Sequence, residues 1–296
     1  MSRKNIYEIL SEGKIDILSE YSRLYQQFYQ DKFLYEHGTS YTVKDLADKK
    51  YRNLDKRLIG RTLSINDFDF SYKYHFCTPE QQREVINSFE NKGNEFVIMD
   101  DLISLLEYVY NFTYYLRVAI KAQYPMLRDI NARYLTEFRQ LNNVIENTIS
   151  CANDLGLEGI AKDGLLIFVE KTPEALSVAE IVDEKLSYKL LEYNHHRLKG
   201  DLTTKLGILK LMADDIEPQR KILNGINKTL TDNLFQMLQK FVRHNNEYNP
   251  YIKGLSPEEL ESCYDDIYQM WLLAKLEIDN LERKKRVESV LQKINE

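Results

Sequence analysis

Apolar residues recur every three or four positions along most of the chain, which is the pattern of helices that bury one face. Gly (11) and Pro (6) are scarce among the 296 residues, so few turns interrupt the periodic segments. We therefore predict an all-α protein, mainly a helical bundle. The clearest predicted helices cover residues 98–123, 127–154, 183–199, 229–246 and 257–293.

One stretch departs from the helical pattern. Residues 165–169 form an unbroken apolar run with branched and aromatic members, and the Asp163-Gly164 dipeptide before it is typical of tight hairpin turns. Because a two-stranded ribbon is not stable alone, it must lie against the helices. We expect one small β-hairpin near residues 157–170.

The best candidate for an internal boundary is Lys92-Gly93-Asn94, which ends a helix that Thr78-Pro79 opens with a capping residue and a first-turn proline. This boundary predicts an N-terminal helical region at 1–96. The remaining residues, 97–296, would form a second helical domain in which the hairpin is an insertion.

Charge and composition limit the partners. The net charge of −6 gives no overall attraction to nucleic acid, so any RNA contact needs a local basic patch. A predicted short helix over 43–60 has a basic face, which is either a phosphate-contacting patch or an ordinary solvated surface. The scattered Cys77, Cys151 and Cys263 have no metal-binding spacing and favour a reducing, cytoplasmic location. We expect no membrane segment, no metal and no cofactor.

The predicted helix 229–246 ends in a dense polar cluster. Thr229, three residues before Asp232, has the form of an N-terminal capping box. The apolar stripe stops at Val242, and Asn249-Pro250 closes the segment, because the residue before proline avoids the helical conformation. Between them stand side chains with hydrogen-bonding heads: Arg243, His244, Asn245 and Asn246.

A second polar group lies in the predicted helix 183–199. Asn194 comes four residues after Leu190, and His195 comes four after Leu191, so both should point toward the apolar side. Buried polar groups need partners, and the cluster at 243–246 is the richest supply. We therefore expect the two helices to pack together and to bring Asn194 and His195 to Arg243, His244 and Asn246.

A helix that ends in Arg243 and His244, followed by a loop and a long amphipathic helix, resembles the HEPN superfamily. These small all-α domains occur in toxins, abortive-infection proteins and other prokaryotic antiviral defence systems. The segments EYNHHRLKGDL (192–202) and CYDDIYQMWLLAKLEIDNLERK (263–284) are similar to bacterial abortive-infection-type proteins. The resemblance covers about residues 183–285.

Many HEPN proteins are metal-independent ribonucleases, and the resemblance implies that chemistry here. Such an enzyme needs a base, an acid and a cation for the phosphorane. Histidine titrates near neutrality, and arginine supplies a permanent forked donor. The catalytic candidates are Arg243, His244 and His195. The RNA-binding candidates are Asn194, His196, Asn245, Asn246 and Tyr248.

The spacing of the motif leaves a second function open. The family motif usually places four to six residues between Arg and His, whereas His244 follows Arg243 directly, and the position five after the Arg is Tyr248. The alternative is a non-catalytic HEPN-like regulatory or scaffold protein, which binds a nucleotide or a partner protein of a defence system. In that case Arg243 and His244 are cations at a helix C-terminus, where positive charges interact favourably with the helix dipole.

The last predicted helix, 257–293, carries an apolar seam whose residues are alternately four and three apart. Such a seam packs against another helix. HEPN-like proteins commonly dimerise, so we expect a homodimer through this seam, unless the seam packs inside one subunit. The seam residues are Leu260, Tyr264, Ile267, Trp271, Ala274, Ile278 and Leu281.

Overall fold

The computed structural model describes residues 16–34, 39–46, 99–123, 132–162, 165–244 and 249–295. The chain divides into two compact units, residues 1–168 and 169–296. The predicted boundary at 96–97 and most of the basic helix 43–60 lie outside the described residues.

The described part of the first unit contains three long helices and one short helix. Asp16 begins the first of them, because its carboxylate accepts hydrogen bonds from the N–H groups of Leu18 and Ser19. The core between the helices is aliphatic and aromatic, with Leu24, Phe28 and Leu106 fully buried. The elements are α1 (Ile17–Tyr29), β1 (Phe33–Leu34), β2 (Ser40–Tyr41), α2 (Val43–Leu46), α3 (Met99–Gln123), α4 (Ala132–Asp154), β3 (Leu157–Lys162) and β4 (Leu165–Glu170), whose end belongs to the second unit.

The predicted hairpin is confirmed, since β3 and β4 form a two-stranded sheet. Two side chains of α3 hold β4 in place. Asn111 bonds the backbone of Leu166, and the Glu107 carboxylate accepts from the Phe168 N–H at 2.8 Å. The structure also contains a second small sheet, β1 with β2, which pairs Phe33 with Tyr41 in antiparallel fashion. Strands of two residues are too short for an alternating pattern, so the sequence did not predict it.

The second unit packs its helices around one long helix. The Nε1–H of Trp271 donates to the Met212 carbonyl at 2.8 Å and joins two neighbouring helices at the centre of the core. No helix among the described residues is long and apolar enough to cross a membrane. The elements are α5 (Pro173–Ala179), α6 (Glu184–Glu192), α7 (Leu202–Ile216), α8 (Arg220–Ile226), α9 (Lys228–Met237) and α10 (Pro257–Asn295), with a 3-10 turn at His196–Leu198, another at Glu217–Gln219 and a π-helical turn at Leu238–Arg243.

Two helix boundaries differ from the prediction. The helix expected over 183–199 ends at Glu192, and a 3-10 turn follows at His196–Leu198. The helix expected to begin at Thr229 begins at Lys228, because the side chain of Asn227 caps it by accepting from the Leu230 N–H.

The seam of α10 packs inside the unit. Tyr264, Ile267 and Trp271 are each 1% exposed or less, and Ala274 and Ile278 belong to the same core. The seam is therefore not available to a second copy, and the alternative of packing within one subunit holds.

Candidate functional site

Arg243 ends the π-helical turn that follows α9, and it is engaged in an ion pair. Its Nη2 lies 2.6 Å from Oε2 of Glu217, the first residue of the 3-10 turn after α7. The two side chains are 37% and 39% exposed. The positive charge of Arg243 is therefore balanced by the Glu217 carboxylate at the surface of the second unit.

His244 comes directly after Arg243 and is exposed. Its N–H donates to the Gln239 carbonyl at 3.2 Å, and its ring Nε2 contacts the side-chain amide of Gln239. The His244 carbonyl accepts from Asn249 Nδ2 at 2.8 Å, and the same amide donates to the Lys240 carbonyl. The last carbonyls of a helix have no partner within the helix, and the Asn249 side chain donates hydrogen bonds to two of them. The buried Asn249 (6% exposed) thus fixes the end of the motif helix.

Asn194 is half-buried, and its partners are different from those expected. Its Nδ2 donates to Tyr268 Oη at 3.1 Å and to Thr172 Oγ1 at 2.9 Å. The Tyr268 hydroxyl in turn donates to the Leu190 carbonyl at 3.1 Å. Asn194 is therefore part of a network that ties α6 to α10.

His195 and His196 lie beside each other at the start of the 3-10 turn. His195 has an extended backbone (φ −72°, ψ 133°) and is 7% exposed. The two ring centroids are 4.5 Å apart. Burial, together with the nearby His195 and Arg197, lowers the pKa of His196 to about 3. His196 is therefore neutral near pH 7 and cannot bind a phosphate as a cation.

The two halves of the predicted site lie toward opposite ends of α7. Next to Asn194, the hydroxyl of Tyr193 donates to Asp265 Oδ1 at 2.8 Å, and Lys205 near the start of α7 donates to the same oxygen. Arg243 pairs with Glu217, twelve residues after Lys205. At 1.5 Å per residue this is about 18 Å along the helix.

The expected approach of Asn194 and His195 to Arg243 and His244 is therefore wrong. The physical reason is that α6 ends before Asn194, whose amide is then satisfied by Tyr268 and Thr172. The other members of the predicted cluster, Asn245, Asn246 and Tyr248, lie outside the described residues.

The structure also contains a buried charged centre that no local sequence pattern marks. Lys205, whose side chain is 8% exposed, lies 2.8 Å from both Glu261 and Asp265 of α10. Burial raises the pKa of the Glu261 carboxyl, but the hydrogen bonds from Lys205 and the Gly200 N–H outweigh burial and hold the pKa below its usual range. Lys205 comes from α7 and the two carboxylates come from α10, far away in sequence. Because its charges are paired, this centre holds α7 against α10.

Comparison with known proteins finds no relative of the chain. No family model, curated protein or solved structure matches the chain.

Chemically, the described part of the motif offers one paired cation and one exposed imidazole. Arg243 and His244 stand together at the end of the π-helical turn, while His195 and His196 lie at the far end of α7. A ribonuclease reaction needs an acid and a base on either side of one phosphate. Among the described residues of one copy, Arg243 and His244 lie apart from His195 and His196.

Proposed function

We propose that this chain is a HEPN-like protein of prokaryotic antiviral defence whose C-terminal unit is non-catalytic and acts as a regulatory or scaffold module. The family part is supported by the resemblance over residues 183–285. The non-catalytic part is supported chiefly by one observation, the 2.6 Å ion pair between Arg243 and Glu217. A carboxylate beside the arginine repels the phosphate that a catalytic arginine must bind.

Two further observations support the non-catalytic function. His195, the second titrating group that the reaction would need, lies toward the other end of α7 from Arg243. His196 stays neutral at pH 7 because of its lowered pKa. A scaffold role does not require His195 or His196 to approach Arg243, because a partner protein needs only a rigid helical surface to bind.

The direct test is incubation of the purified protein with total RNA, beside Arg243→Ala and Glu217→Gln. We expect intact RNA in every case. Cleavage by the wild type that is lost in Arg243→Ala would overturn the non-catalytic proposal. Glu217→Gln is the matched control, because it removes the carboxylate and keeps both the arginine and the shape of the side chain.

The defence role is tested by phage plaque counts on bacteria that express the chain. We expect protection, and we expect Arg243→Ala to protect as well as the wild type. Equal plaque counts with and without the chain, across a panel of phages, would refute the defence part and leave the RNA result standing. Protection that Arg243→Ala abolishes would refute the non-catalytic part.

A ribonuclease is the second candidate, and one observation favours it. Arg243 and His244 are both accessible at the same helix end, so an RNA could reach them. Glu217 would then act as an inhibitory partner of the arginine. This candidate predicts that Glu217→Gln cleaves RNA faster than the wild type, whereas the scaffold proposal predicts no cleavage by either protein.

A further inference from the structure

The end of α10 extends past the core of the second unit. The last buried residue of the helix is Ile278, which is 9% exposed. Arg283 then pairs with Asp279 on its own helix. Every side chain over residues 284–294 is exposed, so none of the described elements covers any side of the helix there. We call residues 284–294 the tail of α10, and it is about 16 Å long.

The tail carries an apolar stripe along one side. Its four aliphatic residues are three or four positions apart, which is the spacing of residues on one face of a helix. Each remains between 52% and 72% exposed, although aliphatic side chains are stabilised by removal from water. They are Val287, Val290, Leu291 and Ile294. The stripe is therefore a surface that an apolar partner would stabilise.

The form of the stripe favours a helix as the partner. Its four positions cover about 100° of the helix circumference, the width that a helix buries against a neighbour. Val287 and Ile294 are β-branched and seven residues apart, with Val290 between them, an arrangement that favours two helices packed side by side. A helix that lies on a membrane surface usually carries Trp, Phe or Leu along its apolar face. The tail has one leucine and no aromatic residue.

Cations lie on both borders of the stripe. Arg286 and Lys293 are seven residues apart and lie on one border, and Lys284 lies on the other. Residues at these positions flank the seam when two helices pack, and their charges select the partner. The tail as a whole has four cations and one carboxylate, a net charge of +3. A matching partner therefore carries carboxylates along the borders of its own stripe.

We propose that the tail of α10 binds a helix of a partner protein, one whose aliphatic stripe is flanked by glutamate or aspartate. The two stripes pack together, and the border cations pair with the partner's carboxylates. A second tail is not that partner, because two tails place one net charge of +3 beside another, and like charges suppress association. The proposal rests on the proposed scaffold role, for which it names the chemistry of the partner. The contact is short, so binding is reversible and weakens as salt screens the charges.

Binding of two synthetic helical peptides to the full chain tests the proposal. Both peptides carry the same stripe of valine and leucine, and every border position is glutamate in one and lysine in the other. Fluorescence anisotropy of the labelled peptides, up to several hundred micromolar chain, measures both affinities. We expect the glutamate peptide to bind and the lysine peptide to bind about ten-fold more weakly or not at all. Equal affinities, or no binding of the glutamate peptide at any concentration, would overturn the proposal.

Charge reversal of the tail is the sharper test, because exposed residues can be changed without disturbing the core. The triple variant Lys284→Glu, Arg286→Glu, Lys293→Glu should invert the preference and bind the lysine peptide more tightly than the glutamate peptide. The matched control makes the same change in net charge on other helices, at three exposed lysines, and should keep the wild-type preference. It is Lys185→Glu, Lys210→Glu, Lys221→Glu. An unchanged preference in the tail variant, or an inversion in the control as well, would refute recognition by the tail.

A vesicle assay tests the other occupant of an apolar, basic helix. We expect no co-sedimentation of the wild type with phosphatidylglycerol vesicles. Vesicle binding that the tail variant loses, without binding of the glutamate peptide, would make the tail a lipid anchor and overturn the proposal.

The RNA assay separates this inference from the function on which it rests. Intact RNA together with no binding of the glutamate peptide would refute the tail partner and leave the non-catalytic proposal standing. Cleavage that Arg243→Ala abolishes would refute the non-catalytic proposal, whatever the peptides do.

Discussion

Asn111 of α3 hydrogen-bonds both backbone groups of Leu166 in β4, donating to the carbonyl and accepting from the N–H, each at 2.7 Å. The side-chain amide thus takes the place that a neighbouring strand would occupy. The Glu107 carboxylate does the same for the Phe168 N–H. Asn111 is 2% exposed, so water cannot replace it. A short hairpin is held to the helices by polar bonds as well as by apolar packing.

Asn111→Leu should therefore destabilise the first unit by about 1–3 kcal/mol, because it leaves two half-buried backbone groups of Leu166 without a partner. The free energy of unfolding by urea measures the effect. Asn153→Ala, at an exposed position in α4, is the control and should change the stability by less than about 0.5 kcal/mol. Equal stability of Asn111→Leu and the wild type would show that packing alone holds the hairpin.

The hydroxyl of Tyr268 is expected to stabilise the second unit. Tyr268→Phe keeps the ring that stacks 4.2 Å from Tyr193 but removes the bonds to Asn194 and Leu190. We expect a loss of about 1–3 kcal/mol, since buried partners are left unsatisfied. Thermal or urea unfolding measures it, with Tyr251→Phe as the control at a tyrosine that is 54% exposed. A loss as small as that of the control would contradict the role of this network.

The helices and the hairpin were predictable because their signals are local. Periodic apolar positions mark α10 along its whole buried length, and an unbroken apolar run marks β4. Local signals fail where two choices are equally good. Asn227 and Thr229 are both residue types that cap helices, and in the structure the side chain of Asn227 caps α9.

The site was harder to predict because it depends on tertiary partners. No glycine or proline marks the end of α6 at Glu192, so the apolar pattern suggested a helix that continued past Asn194. The carboxylate that pairs with Arg243 comes from Glu217, in a different element. A sequence pattern identified the polar side chains as a group, but only packing decides which of them meet.

Asn249 is expected to hold the end of the π-helical turn. Asn249→Ala removes the bonds to the carbonyls of Lys240 and His244, and also the bond in which its Oδ1 accepts from the Tyr251 N–H at 2.9 Å. We expect a loss of about 1–3 kcal/mol and faster hydrogen exchange at the His244 amide. Asn233→Ala, on the exposed side of α9, is the control. Unchanged exchange at His244 would show that the turn holds without Asn249.

The pKa of His196 predicts how stability depends on pH. The pKa is about 3 in the folded protein and about 6.5 in an unfolded chain. Between these values the unfolded chain binds a proton that the folded protein does not bind. The titration of this histidine therefore leaves the free energy of unfolding unchanged above pH 6.5. It lowers the free energy of unfolding progressively as the pH falls from 6.5 toward 3. The depressed pKa of Glu261 acts below about pH 4.5 and the raised pKa of Glu170 acts above it, so the histidine is isolated only by comparison with a variant that lacks it.

His196→Gln should therefore flatten the pH dependence of unfolding. In the wild type, the protonation of this histidine in the unfolded chain lowers the free energy of unfolding by at most about 1.4 kcal/mol per pH unit below 6.5. Glutamine does not titrate, so the difference between the two proteins should shrink or reverse as the solution is acidified from pH 6.5 to 4.5. Above pH 7 the difference should be constant, which serves as the internal control. Urea unfolding at a series of pH values measures both curves, and curves that stay parallel throughout would mean that the histidine protonates in the folded protein as readily as in the unfolded chain.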